Sequence, residues 1–173
     1  MDPRTFSDLQ NRVSEVHGEW DNLKLTKENW TRWLNGYFMT WSNKSIVPQV
    51  SEGEISLSLM GTKLRGIPRI VRTDQPDIDW LWEYNFQFCD ENANREGEKP
   101  SEPPKVVMQF YLAPSTEPLV RQSGGDPMLF RDSACTELIC KGVSDDTPRY
   151  IAGTMARIML EQKEKFAPAP LNR

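Results

Sequence analysis

The chain has 173 residues, of which 38% are hydrophobic, 27% charged and 10% aromatic, a size that suits one domain with enough large apolar side chains to exclude wholesale disorder. Its 25 acidic residues outnumber 21 basic ones for a formal charge of -4, which disfavours coating a polyanion by net charge alone. No apolar run approaches the roughly 18 residues of a membrane span, and the start at Met1, Asp2, Pro3 and Arg4 carries neither a secretory apolar core nor a myristoylation glycine, so a soluble, cytoplasmic protein without a signal peptide is expected. Cys89, Cys135 and Cys140 form no CxxC pair and suit reduced, buried thiols better than a disulfide framework.

From the N-terminus, Phe6, Leu9, Val13, Val16, Trp20 and Leu23 recur at spacings of three and four, which predicts a helix with one apolar stripe. Asp2 and Pro3 are a suitable cap and first-turn residue. The stripe continues through Trp30, Leu34, Tyr37 and Trp41, interrupted by Lys27. Gly18, which costs about 1 kcal/mol inside a helix, and Thr26 followed by Glu28, which resemble a fresh N-terminus, predict two helices, the second over about 27–41 and packed on a sheet.

Near Pro48 the period changes to two. Ile55, Leu57 and Leu59 alternate with polar residues in a strand expected to turn at Gly61. A second strand follows over about 63–72, where Gly66 and Pro68 predict a bulge or an edge position. The strongest pattern in the chain is next: Ile78, Trp80, Trp82, Tyr84, Phe86 and Phe88 occupy every even position, with Asp79, Glu83, Asn85 and Gln87 among the odd ones. This predicts a long, curling strand with an apolar even face, and Val106, Met108, Phe110 and Leu112 supply its antiparallel partner. The stretch 90–104 between them holds 5 acidic residues, 2 basic residues and 3 prolines, as a mobile hairpin loop would. Leu119 to Arg121 and Met128 to Phe130 are expected as short strands around the turn at Ser123 to Pro127. Residues 133–141 suit a short helix or a strand, with a lean to helix. Thr147 and Pro148 open a last helix with Ile151, Met155, Ile158, Met159 and Gln162 on one face, and 167–173 form a frayed tail.

Chemistry is sparse. His17 is the one histidine, so a nucleophile has a single imidazole to draw on and a His-rich metal site cannot be built. Phosphate-loop, dinucleotide, HExxH and EF-hand motifs are absent from the sequence, and no catalytic, cofactor-binding or metal residue is assigned. Asp79 and Glu83, on one side of the long strand, are the carboxylates best placed for acid/base work, though a hydrated strand face explains them as well. Lys63, Arg65, Arg69 and Arg72 make the densest basic group and could grip phosphates or an anionic surface. The aromatic stripe 80–88 could line a ligand pocket, with core the preferred reading. The sequons at Asn29 and Asn43 are read as accidental.

The expected fold is α+β: an antiparallel meander of four or more strands packed with two N-terminal helices and one C-terminal helix. Residues 1–25 form an association arm, 26–166 a single domain and 167–173 a tail. By exclusion, the expected function is non-enzymatic: a protein-protein interaction or assembly subunit, a viral structural or accessory protein being one form, that self-associates through Phe6, Leu9, Val13, Val16, Trp20 and Leu23. The alternatives are a curved-sheet protein that binds a small ligand or uses carboxylates as an enzyme, and RNA or anionic-surface binding through the basic group.

Overall fold

The computed structural model describes residues 2–89 and 104–166. The expected acidic loop, apart from Pro104, and the expected tail lie outside them. The chain folds as α1 (Pro3–Thr40), β1 (Gln49–Ser51), β2 (Glu54–Leu59), β3 (Thr62–Gln75), β4 (Ile78–Cys89), β5 (Val106–Ala113), α2 (Pro118–Gln122), β6 (Met128–Phe130), β7 (Leu138–Lys141) and α3 (Asp146–Phe166). The seven strands form one curled antiparallel sheet in sequential order. The α+β meander is therefore as expected, with two differences among its helices.

The first is at the N-terminus, where one continuous helix of 38 residues replaces the two expected, about 57 Å long at 1.5 Å per residue. Asp2 caps it by accepting from the Arg4 amide at 3.2 Å. Thr26 does not start a new helix. It is fully buried, and its hydroxyl donates back to the Asn22 carbonyl at 2.9 Å, a bond that leaves the helix intact. Lys27 does not break the stripe either, because its ammonium lies 4.2 Å from the centre of the Trp82 ring and its stem covers the seam. The second difference is α2, a single helical turn at Pro118–Gln122 where a short strand is expected; the proline at its start favours the turn.

α1 and α3 cover the same sheet face. Leu23, Trp30, Leu34 and Phe38 of α1 meet Ile151, Ala152, Met155, Ala156 and Met159 of α3 over Ile55, Leu57, Leu64, Trp82, Tyr84, Phe86, Phe110 and Leu112. The even face of β4 is thus core, as the alternation predicts. The two buried indoles of this core are satisfied: Trp82 Nε1 of β4 donates to the Leu23 carbonyl and Trp30 Nε1 of α1 to the Gly142 carbonyl, both at 2.8 Å. Register is set by two-residue hairpins at Glu52-Gly53 and Met60-Gly61, all four residues at positive φ, a turn geometry whose twist matches the strands. The turn expected at Gly61 is in place. Gly66 is required by packing, since a Cβ there would lie 2.4 Å from the Phe86 ring.

β3 is an interior strand by order, yet its last β2 partner is Gly66. Pro68, paired only to Tyr84 of β4, therefore lies where β3 has become an edge and needs no amide donor on that side. The irregularity in β3 falls between Arg72 and Gln75, not at Gly66. β4 and β5 pair antiparallel, with Trp82 opposite Leu112 and Tyr84 opposite Phe110.

The reverse face carries a smaller core of Ile78, Leu81, Tyr111, Ala113 and Phe130. Ile78 thus leaves the even-face set. The segment before β7 lies over this patch, tied down by Thr73 Oγ1 to the Ser133 carbonyl at 2.8 Å and by the Gln75 amide to the Ala134 carbonyl. The helix favoured for 133–141 does not form. Asp132 accepts from the amides of Thr136 and Glu137, Cys135 adopts φ 56, and the chain turns into strand β7. No helix among the described residues is long and apolar enough to cross a membrane.

Candidate functional site

The most unusual surface belongs to α1, whose halves have opposite environments. From Leu23 on, the stripe is core. Before it, Phe6 is 54% exposed, Leu9 49%, Val13 66% and Trp20 38%, although they continue the same a/d spacing. Val16 is half-buried, and Trp20 meets Trp80 edge to face with ring centres 5.7 Å apart. Val13, Val16 and Trp20 floor an apolar groove of about 370 Å³ rimmed by Arg12, His17, Asp21 and Lys24. Of the six residues expected to self-associate, Leu23 is thus committed to the molecule's own core, where 2% of it is exposed. The other five remain at least partly accessible.

At the root of this arm, Glu19 faces Asp79 of β4. Burial and then the neighbouring Asp79 carboxylate raise the Glu19 pKa, while Arg12 and Arg121 partly offset them. The pair separates two clefts. One, of about 290 Å³, lies between α1, the Pro76-Asp77 turn and α2, with Trp80 and Arg121 in its walls. The other, of about 140 Å³, is lined by Arg12, Glu15, Val16 and Arg72 beside the same pair. The Arg121 guanidinium donates to the Asp77 carbonyl at 2.8 Å, which holds the turn against α2.

Asp79 and Glu83 do not form a working pair. Asp79 is exposed at the root of the arm, whereas Glu83 is 6% exposed on the reverse face. There Arg69 Nε donates to Glu83 Oε1 at 2.5 Å, Asn85 Nδ2 donates to the same oxygen at 2.7 Å, and Gln109 Nε2 donates to Asn85 Oδ1 at 2.5 Å. Burial pulls the Glu83 pKa upward, but these donors and the Tyr111 hydroxyl outweigh it and hold the carboxyl below its ordinary value. Burial, with the Glu83 charge beside it, pushes the Tyr111 phenol up to about 12. This saturated network is suited to ordering the sheet face.

The basic group is divided. Arg65 makes a bidentate pair with Glu54, both bonds 2.7 Å, and Arg69 is bound to Glu83. Arg72 stands opposite Trp80 and lines the smaller cleft on the helix side. Lys63 lies at the other end of β3, opposite Ser58 and Cys89. The four cations do not line one surface.

His17 Nδ1 lies 3.1 Å from Asp21 Oδ2 on the exposed flank of α1. Among the described residues, no three His, Cys, Asp or Glu side chains gather as a metal site would require. The sequence reading missed the Glu19–Asp79 contact and the burial of Glu83; neither has a local signal, since each depends on residues brought from another element. Comparison with known proteins finds no match to a family model, a curated protein or a solved structure.

Proposed function

We propose that the protein is a non-enzymatic assembly subunit that self-associates through the free end of α1. The supporting observation is the stripe itself. Phe6, Leu9, Val13 and Val16 keep the a/d spacing of a helix-to-helix seam, and the domain that covers the same stripe from Leu23 onward leaves them accessible. A helix that needed only to pack on its own sheet has no use for this extension, because isolated helical ends fray unless an apolar face is covered. An arm of this length makes a short seam, so association in the micromolar range is expected.

The two alternatives have less behind them. Binding of RNA or an anionic surface through Lys63, Arg65, Arg69 and Arg72 must contend with the carboxylates already on Arg65 and Arg69. A ligand site or carboxylate enzyme has the cleft beside Glu19 and Asp79, walled by Trp80, in its favour, but Trp82, Tyr84 and Phe86 of the aromatic stripe are packed as core.

Light scattering on the full chain up to about 200 µM, beside Leu9→Glu and Val13→Glu, tests the reading. The parent should be oligomeric, and both variants should be monomeric with an unchanged melting temperature. A parent that stays monomeric over that range refutes it.

A further inference from the structure

α1 is one helix, yet the domain holds it along only part of its length, and the stretch just before Leu23 is where cover gives way to a free end. Two adjacent residues there, Glu19 and Trp20, meet two adjacent residues of β4. Trp20 packs edge to face on Trp80 with ring centres 5.7 Å apart, while Glu19 faces Asp79, both carboxylates lining the two clefts on either side of the joint. One contact of this joint is attractive and the other sets like charges together. A helical end frays unless a face of it is covered, so the balance between the two contacts sets how far along α1 the covered stretch extends.

The charged groups around the joint leave the pair uncompensated. On α1, Arg12 lies 4.0 Å from Glu15. On α2, Arg121 donates to the Asp77 carbonyl, and Asp77 adds a further acidic residue to the wall of the larger cleft. On β3, Arg72 lines the smaller one. Among the described residues no cation lies within 4 Å of either Glu19 or Asp79. Arg12 and Arg121 act on Glu19 from farther off and offset its surroundings only in part. With both carboxyls ionised the joint is repulsive; one proton between them replaces repulsion by a charge-assisted O–H···O⁻ bond.

We propose that Glu19 and Asp79 form a proton-operated clasp at the root of the arm: with both ionised α1 is loosened back toward Leu23, and with one proton shared it is held on β4 through Trp20 as far as Val16. The direction follows from linkage. Burial and then Asp79 raise Glu19 above its ordinary value of 4.5 in the closed joint, so closing takes up a proton. The gain is complete below about pH 4.5 and is lost as pH rises through the raised value. The device sets the length of free helix whether or not that helix has a partner.

Amide hydrogen exchange over the α1 residues before Leu23, read by mass spectrometry on the full chain, tests it. Submicromolar protein keeps any association of arms out of the measurement. The parent is compared with Glu19→Gln, Asp79→Asn and the double variant at about pH 7.5 and about pH 4.5; at each pH the intrinsic exchange chemistry and the His17–Asp21 contact on the outer flank are common to all four chains and cancel in the ratio. At the higher pH each single variant should exchange several-fold more slowly than the parent, and the double variant no more slowly than either, because neutralising one member already removes the repulsion. At the lower pH the four chains should exchange alike. Variants that match or outpace the parent at the higher pH would overturn the clasp. A slowing that persists unchanged at the lower pH would assign it to side-chain packing and not to a proton, and singles whose effects add in the double would show two independent sites; either result overturns the proposal.

Discussion

Trp82→Ala tests whether the even face of β4 is core, and its cost can be worked from the contacts. The residue is 6% exposed, and a tryptophan buries about 150–250 Å², which at about 25 cal/mol per Å² gives a transfer term of about 4–6 kcal/mol as an upper bound. Mutational experience with buried aromatics, about 3–5 kcal/mol, is the safer figure. Two further losses are specific to this site. The Nε1 bond to the Leu23 carbonyl disappears, although that oxygen remains within the helix and keeps its usual i+4 donor, so the penalty is about 0.5–1.5 kcal/mol. The ring beneath the Lys27 ammonium also disappears, at about 0.5–1 kcal/mol for a partly solvated cation. A total of about 4–7.5 kcal/mol is a large part of the margin of a domain this size and corresponds to a fall in melting temperature of about 8–30 °C at 2–4 °C per kcal/mol. Thermal melts by circular dichroism measure it directly. Trp82→Phe, which keeps a ring under Lys27, should lose much less. A Trp82→Ala chain that melts within about 2 °C of the parent, less than the shift expected for even 1 kcal/mol, would show that the face is not a cooperative part of the core.

Gly66→Ala should destabilise by about 1–3 kcal/mol in a urea titration, because the added Cβ falls 2.4 Å from the Phe86 ring and the ring must leave its rotamer; an unchanged midpoint would contradict the packing. The Glu83 carboxyl, held below its ordinary value of 4.5, contributes stability that is present above that pH and lost as pH falls through the lower folded value. Glu83→Gln should therefore flatten the fall in melting temperature below about pH 4.5 while costing about 1–3 kcal/mol at neutrality, and an acid slope identical to the parent's would contradict the assignment. Tyr111 has the opposite sign, since its phenol is raised to about 12 and stabilises the fold until pH rises toward that value. Tyr111→Phe should remove part of the alkaline loss between about pH 10 and 12. Removing residues 1–17 should leave a cooperative melt within a few degrees of the parent, because the α1 residues of the core begin at Leu23; an unfolded product would make the arm part of the domain.

Periodicity alone determines much of this architecture. Six even-numbered apolar residues from Ile78 to Phe88 specify a strand whose face must be covered, and the answering pattern from Val106 to Leu112 specifies its partner, because a period of two is imposed by strand geometry itself. The three-four spacing from Phe6 onward specifies a helix and its stripe for the same reason. What covers those faces is a different question. Thr26 has the local character of a cap and Gly18 that of a break, but continuous burial of the stripe from Leu23 to Phe38 outweighs about 1 kcal/mol of propensity and keeps one helix. At 133–141, Asp132 and the bonds from Thr73 and Gln75 decide between helix and strand, and two of those three residues lie about 60 positions away. The basic group reads as one ridge because neighbouring numbers look like neighbouring surfaces. Alternation sends Arg72 to the helix side, and Glu54 and Glu83, contributed by the flanking strands, neutralise Arg65 and Arg69. Glu83 sits among odd-numbered residues that a one-faced sheet would leave hydrated, and it is buried because Tyr111 and Arg69 close over it. The stripe on α1 is legible in spacing, and the sequence already sets its first half apart as an arm, but that the cover begins at Leu23 is not legible: that depends on where the sheet ends, at the Pro76–Asp77 turn beside Trp80, and a chain's own periodicity carries no information about the edge of the surface that will cover it.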